Sequence, residues 1–266
     1  MVWINGERQD SLQARDRAVQ FGDGCFTTAR ILQGEIVMPE AHVQRLKLGC
    51  ERLMIANVDW SALQDEMRFA AATRTDGVLK VILSRGVGGR GYSAAGCQQP
   101  SRMIFLSDYP AHYHPLRRTG VTLALSSIRL GRNPLLAGIK HLNRLEQVLI
   151  RTELDQTGAD EALVLDTDGS LVECCAANLF WRKGEQVFTP DLRHSGVNGI
   201  QRQRVIQRLR ELGTAVQEVS QPLETLADAD EAIITNALMP ILPVRQIGNW
   251  HYSSRQLFTL LHPQDD

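Results

Sequence analysis

Lys140 is the first residue in this sequence whose surroundings suggest chemistry. It follows the apolar run 135–139, and partial burial lowers the pKa of a lysine and makes its amine nucleophilic. A lysine of this kind can form a Schiff base with a carbonyl compound. The same pattern also fits a lysine at the mouth of a helix that extends its amine to water.

Three further features could bind a ligand that carries a cationic ring nitrogen and a phosphate group. Glu173 ends an apolar strand pattern beside small residues, so its carboxylate needs a partner, either a cationic ring nitrogen or a salt-bridge residue. Gly199 precedes a helix pattern, and a helix start offers free N–H groups to a phosphate. Arg45, within helix pattern 40–56, could face a phosphate or water. With Lys140, these groups match the needs of pyridoxal 5′-phosphate.

A glycine-rich segment at 86–91 has the spacing G-x-G-x-x-G after a strand pattern. A dinucleotide-binding fingerprint must open a helix, but residues 92–100 have a weak helix pattern and end in a proline. We therefore predict a flexible loop that carries Arg90 and Tyr92. An arginine on such a loop suits a carboxylate, because its guanidinium binds two oxygens at once. An ordinary surface loop is the alternative.

Hairpin signals are more frequent than β-helix-β crossovers, which predicts an α+β (mixed α/β) fold. The expected hairpins turn at Asn5-Gly6, Gln33-Gly34, Asp168-Gly169 and Lys183-Gly184. The expected helices cover 40–56, 61–73 with Ser61 as N-cap, 143–156, 199–212, 222–227 and 253–261. The expected single strands cover 78–83, 102–107, 121–126, 215–219 and 231–235.

Residues 108–120 contain two prolines and no periodic pattern, which favours a linker. We therefore predict a small N-terminal α/β domain over 1–108, a linker over 109–120 and a larger C-terminal domain over 121–266 that carries Lys140.

Composition excludes several classes of protein. The 266 residues include 29 basic and 30 acidic side chains, for a net charge of −1, which argues against nucleic-acid binding. The hydrophobic fraction of 43% argues against disorder, and no run approaches the ~20 apolar residues of a membrane span. Five cysteines without a C-x-x-C pair suggest reduced thiols, and we predict no metal site although His112 and His114 are close in sequence. Without a signal-peptide pattern at the start, we expect a cytoplasmic protein.

The order of these residues resembles the fold-type-IV pyridoxal-phosphate enzymes, a family that includes branched-chain and D-amino-acid aminotransferases and a lyase branch. The matching segments are 16–26, 42–46, Lys140, 173–180 and 199–202. The resemblance implies a two-domain, D-amino-acid aminotransferase-like fold. It also implies that Lys140 forms the cofactor aldimine, Arg45 holds the phosphate and Glu173 pairs with the ring nitrogen. Gln201 replaces the family's threonine, which preserves a backbone N–H contact but not a hydroxyl contact.

Two segments are more similar to the lyase branch, whose members split 4-amino-4-deoxychorismate into 4-aminobenzoate and pyruvate. These are 26–30, Phe-Thr-Thr-Ala-Arg, and 235–240, Thr-Asn-Ala-Leu-Met-Pro. The resemblance implies that Lys140 is the general base and that the protein is a homodimer. Further implied contacts are Thr28, Arg90, Tyr92 and Asn236 for the substrate, and Asn236 with the amides of Ile200, Gln201 and Ala237 for the phosphate. An aminotransferase and a non-catalytic binding protein are the alternatives.

Overall fold

The computed structural model describes residues 1–261, which form two units. The first consists of Met1–Pro110 together with Ile139–Asn143, and the second of Ala111–Gly138 together with the chain from Arg144 onward. These units differ from the domains expected from sequence in two respects. The short segment with Lys140 belongs to the first unit, and most of the expected linker 109–120 belongs to the second.

The first unit contains a six-stranded antiparallel sheet and three helices. In chain order its elements are β1 (Val2–Ile4), β2 (Glu7–Arg8), α1 (Arg17–Phe21), β3 (Gly24–Leu32), β4 (Glu35–Ile36), α2 (Pro39–Arg52), α3 (Trp60–Ala72), β5 (Asp76–Ser84) and β6 (Ser101–Ser107). The strand order is β2-β1-β6-β5-β3-β4. Asn5 and Gly6 have φ angles of 52° and 86°, as a tight hairpin turn requires.

One face of this sheet forms a core with α2 and α3. Along β3, the odd-numbered residues from Cys25 to Ile31 are buried, whereas Phe26, Thr28 and Arg30 are half-buried on the opposite face. This alternation is the period of two that a strand imposes. Leu46 and Leu63 of the two helices are fully buried in the same core.

The start of α3 differs from the prediction. Asp59, rather than Ser61, is the N-cap, and its Oδ1 accepts a hydrogen bond of 2.9 Å from the N–H of Ala62. Aspartate and serine are both good N-caps, and the helix is capped by the one that lies two residues earlier in the chain.

The second unit contains a mixed nine-stranded sheet. Its elements are α4 (Tyr113–Thr119), β7 (Val121–Leu125), α5 (Leu145–Leu154), β8 (Glu161–Leu165), β9 (Leu171–Cys174), β10 (Asn178–Lys183), β11 (Gln186–Pro190), α6 (Ile200–Glu211), β12 (Val216–Val219), a 3₁₀ helix (Leu223–Asp228), β13 (Glu231–Thr235), β14 (Leu242–Ile247), β15 (Trp250–His251) and α7 (Gln256–Leu261). The strand order is β12-β11-β10-β13-β14-β7-β8-β9, and β15 pairs with β14.

Three elements of this unit were not predicted, one of which is the short strand β15. Segment 109–120, expected to be an irregular linker, contains α4, in which Pro115 stands in the first turn, where proline is tolerated. Strand β14 contains Pro243, which is paired with Ile233 of β13. Within residues 1–261, no helix is both long and apolar enough to cross a membrane.

Candidate functional site

Lys140 is held by backbone pairing with the start of β3. The N–H of Phe26 donates to the carbonyl oxygen of Lys140 at 2.9 Å, and the N–H of Leu142 donates to that of Gly24 at 3.0 Å. Lys140 is half-buried, and its Nζ lies 4.7 Å from the centre of the Phe26 ring. A cation over an aromatic face is attracted by the ring quadrupole. The lysine is therefore fixed at its backbone and sheltered on one side by an aromatic ring.

Thr28 follows Phe26 on the same face of the first sheet. Its cross-strand partner is Lys80 of β5, whose Nζ lies 5.1 Å from the centre of the Phe26 ring. Phe26 thus contacts two lysine side chains, and Thr28 stands beside them. The sequence analysis did not single out Lys80, although a lysine within the otherwise apolar run 78–83 could have indicated it.

Arg45 lies on α2, one turn after a buried histidine. His42 is fully buried, and its Nδ1 lies 2.6 Å from the hydroxyl oxygen of Thr27. Burial, with a smaller contribution from the charge of Arg45, lowers the pKa of His42 from 6.5 to about 3. His42 is therefore neutral, and it connects the helix that carries Arg45 to the strand that carries Thr28.

Arg90 and Tyr92 lie on the loop between β5 and β6, and both side chains are exposed. The loop folds back on itself, because the glycines at 86, 88 and 89 have positive φ angles and approach carbonyl oxygens of residues 93–99 closely. A Cβ atom at any of these three positions would overlap with the backbone. The glycines thus permit a specific compact turn that presents both side chains to solvent.

Glu173 lies on β9 in the second unit and is 5% exposed. Its Oε2 accepts a hydrogen bond of 2.8 Å from the N–H of Val197. Burial lowers the pKa of Arg144, whereas the negative charge of Glu173 raises it, so these two residues interact. A buried carboxylate anchored by a backbone amide is suited to face a cationic group.

The turn before α6 is built around a glycine. Gly199 is the N-cap of this helix, and no side chain caps it. The carboxamide of Asn178 donates to the carbonyl oxygen of Val197 at 2.9 Å, and its oxygen occupies the space that a Cβ at residue 199 would need. Ile200 and Gln201 follow in the first turn, where backbone N–H groups lack partners within the helix. This arrangement provides amide donors for an anion.

Asn236 has a structural role beside these residues. Its Oδ1 accepts hydrogen bonds from the N–H groups of Leu238 (2.8 Å) and Met239 (2.9 Å), and its Nδ2 donates to the carbonyl oxygen of Ala176 (3.0 Å). The side chain predicted to contact phosphate and substrate therefore shapes the turn that contains Ala237.

The structure thus divides the predicted site residues between the units. Lys140, Thr28, Arg45 and the residues at 90 and 92 belong to the first unit, and the residues at 173, 200, 201, 236 and 237 belong to the second. An amine, a guanidinium, a buried carboxylate and a helix start are together the groups that bind a phosphorylated pyridine aldehyde.

The fold and these residues define a member of a known family: the chain belongs to the amino-transferase class IV family, whose profile matches residues 24–247. The chain is similar to the aminodeoxychorismate lyase of Vibrio harveyi, with 40% identity over 93% of this chain and 92% of the relative.

Solved structures agree with this assignment. The crystal structure of 4-amino-4-deoxychorismate lyase from Pseudomonas aeruginosa matches with a TM-score of 0.93 and 36% identity, covering 98% of this chain and 96% of that one. The branched-chain amino acid aminotransferase of Escherichia coli matches with a TM-score of 0.84 at 22% identity, covering 97% and 90%. The latter similarity concerns the fold alone.

Proposed function

We propose that this protein is a lyase dependent on pyridoxal 5′-phosphate that converts 4-amino-4-deoxychorismate into 4-aminobenzoate and pyruvate, a reaction that serves folate biosynthesis. The observation that carries this proposal is the similarity to two such lyases along nearly the whole chain. The side chains described above are of the chemical types that this reaction needs.

The residues present fit the cofactor. Gly199, the N-cap of α6, has no side chain that could cap the first-turn amides, and Glu173 is buried but held in place by a backbone N–H. We propose that Lys140 holds the aldehyde carbon, Arg45 and the amides of Ile200, Gln201 and Ala237 the phosphate, and Glu173 the ring nitrogen. Asn236 is expected to lie near the phosphate. Bound in this way, pyridoxal phosphate supplies an electron sink for the bonds around an amine-bearing carbon.

The proton transfers are assigned to side chains of the protein. We propose that the Lys140 amine, once replaced by the substrate amine, removes the proton from the amine-bearing carbon. Loss of the enolpyruvyl ether then makes the carbocycle aromatic, which favours the products. A proton must reach the methylene carbon of the departing enolpyruvate. Thr28 positions the substrate or relays this proton through water, because a hydroxyl group alone is a weak acid.

Substrate recognition is assigned to exposed groups. A guanidinium matches a carboxylate with two parallel hydrogen bonds, so Arg90 binds one of the two substrate carboxylates, and Tyr92 on the same loop contacts the substrate beside it. Asn236 is assigned a second role near the substrate amine.

We further propose a cytoplasmic homodimer. In its support, α5 exposes the apolar side chains of Leu145, Val148 and Leu149, which are 78%, 57% and 56% exposed. An exposed apolar surface of this kind is typical of a protein interface. Light scattering should give twice the chain mass of 29.7 kDa.

The central test supplies the purified protein with an aminodeoxychorismate-generating system and measures 4-aminobenzoate and pyruvate, which should form in equal amounts. Lys140→Ala should form neither product and should lose its yellow colour on dialysis. Lys47→Ala, at an exposed lysine, should form both products and keep its colour. Stable pyridoxamine phosphate after addition of D-alanine or a branched-chain amino acid would instead indicate an aminotransferase. A colourless protein would indicate a non-catalytic binding protein.

A further inference from the structure

One buried arginine, Arg17, contacts the backbone of the loop that carries Arg90 and Tyr92. Arg17 is 4% exposed. Its Nη1 donates to the carbonyl oxygens of Gly91 and Ser93, both at 3.1 Å, and its Nη2 donates to that of Tyr92 at 3.3 Å. Three consecutive carbonyl groups of the loop therefore converge on one guanidinium.

The backbone around this guanidinium is bent to allow the contacts. The N–H of Ser93 donates to the carbonyl oxygen of Arg90 at 3.2 Å, which closes a turn over 90–93. Gly89 has a φ angle of 71°, and a Cβ there would overlap with the carbonyl oxygen of Ser93 and lie 3.1 Å from Nη1 of Arg17. The turn and the arginine therefore fit each other only with glycine at 89.

Arg17 is itself held on its other side. Its Nε donates to Oδ2 of Asp23 at 2.7 Å, and its guanidinium lies 4.8 Å from the centre of the Phe21 ring. That ring is 5.5 Å from the ring of Tyr92. Although burial alone would raise the pKa of Asp23, hydrogen bonds from Arg85 and Arg17 lower it, so the anion is retained.

A second arginine, Arg85, also binds Asp23. Its Nε donates to the same Oδ2 of Asp23 at 2.7 Å, and its Nη1 and Nη2 donate to the carbonyl oxygens of Met54 and Leu53, both at 2.7 Å. Arg85 therefore connects Asp23 to the end of α2, whereas Arg17 connects it to the loop. The two arginines share one partner but support different segments.

We propose that Arg17 is a positioning residue for substrate binding, because its guanidinium fixes the 90–93 turn and thereby the place of Arg90. This inference rests on the proposed function, in which Arg90 binds a substrate carboxylate. The side chains of Arg90 and Tyr92 are exposed, so the backbone beneath them determines where they stand. A lysine cannot replace Arg17, since an ammonium lacks the planar fork that spans three acceptors.

The first experiment measures the loop without any substrate. Amide hydrogen exchange is compared in the cofactor-loaded wild type, Arg17→Lys and the matched control Arg85→Lys. Arg17→Lys should accelerate exchange at 89–97 and leave 50–55 unchanged, whereas Arg85→Lys should do the reverse. Unchanged exchange at 89–97 in Arg17→Lys would overturn the proposal. Gly89→Ala, which disturbs the same turn but leaves Arg17 in place, should resemble Arg17→Lys.

The second experiment measures kinetics on the same preparations. Arg17→Lys should raise KM about tenfold or more while kcat and the cofactor spectrum stay within about twofold, as expected for lost ground-state binding. The double variant Arg17→Lys/Arg90→Ala should have the KM of Arg90→Ala alone, because residues that act through one another are not additive. Arg17→Ala should also have a raised KM. Added guanidinium ion should lower this KM, because it can replace the missing side-chain group.

The outcomes separate this proposal from the proposed function. Formation of no 4-aminobenzoate by the wild type would contradict the function, and the exchange data alone would then decide whether Arg17 holds the loop. A loosened loop with an unchanged KM, while Arg90→Ala raises KM, would overturn the positioning role and leave the function intact. Additive effects of the two substitutions would show that Arg17 does not act through Arg90.

Discussion

The buried, neutral histidine at position 42 predicts a specific dependence of stability on pH. His42 is fully buried on α2, and within residues 1–261 its Nε2 has no hydrogen-bond partner. A proton added to this ring would place a charge in the core near Arg45. The substitution His42→Gln removes the titrating group, and its amide can still accept a hydrogen bond from the hydroxyl of Thr27.

The magnitude follows from the difference in pKa between the two states. The pKa of His42 falls from 6.5 in the unfolded chain to about 3 in the folded one, so only the unfolded chain binds a proton between these values. Stability is therefore complete above about pH 6.5 and decreases as the pH falls toward 3. Between about pH 7.5 and pH 5, linkage gives a loss of about 2 kcal/mol. This figure barely changes if the folded pKa is one unit higher.

Urea unfolding of the wild type and His42→Gln at both pH values measures this loss. The wild type should lose about 2 kcal/mol more than the variant on acidification, since the carboxylates common to both proteins cancel in the difference. The exposed His251→Gln serves as the control and should behave like the wild type. Carbon-13 signals from the histidine rings should show a neutral His42 at about pH 5.

Equal losses in the wild type and in His42→Gln would refute this reasoning, and so would a His42 ring that titrates near its ordinary pKa. Either result would mean that protonation is tolerated at this site.

Three further substitutions test other parts of the structure. Asp16→Asn should lower the free energy of unfolding by about 2–3 kcal/mol, because this fully buried carboxylate accepts two serine hydroxyls at 2.7 Å; urea unfolding that matches Asp10→Asn, at an exposed position, would contradict this. Gly199→Ala should weaken pyridoxal phosphate binding about tenfold in a fluorescence titration, since the added methyl overlaps the Asn178 oxygen, and unchanged affinity would argue against a phosphate site there. Glu173→Gln should reduce kcat on the order of 100-fold at unchanged cofactor content, and full activity would exclude a role for its charge.

Local turn chemistry explains why the hairpins could be predicted. Asn5-Gly6 and Gln33-Gly34 have positive φ angles, and few other residues adopt them at low cost. Strand β14 could not be predicted, because Pro243 breaks the strand pattern. Pairing with two neighbouring strands forms β14. Its residues Pro243 and Val244 pair with Ile233 of β13 and Val121 of β7, and Val121 is distant in the sequence.

The candidate site was predictable as residue types but not as an arrangement. Lys140 was expected from its apolar neighbours, but its pairing with Phe26 joins residues 114 positions apart. Asn236 is expected to contact ligands, and the hydrogen bonds of its side chain also shape its own turn. Such a side chain has the same pattern in the sequence whether it serves a turn, a ligand or both, so the sequence did not indicate the turn.

Segment 16–26, at which the family resemblance begins, illustrates a related point. Asp16 caps α1 and accepts hydrogen bonds from two serines, Arg17 holds the loop, and Asp23 joins two arginines. Gly24 is required because a Cβ there would overlap the carbonyl oxygen of Leu83. These residues fix the start of β3 and the 90–93 turn, on which Thr28 and Arg90 depend. Substitution of Arg17 should therefore change substrate binding and loop exchange more than the proton transfers assigned to Lys140, whereas substitutions at Gly24 or Phe26 should also disturb the segment of Lys140, which pairs with both.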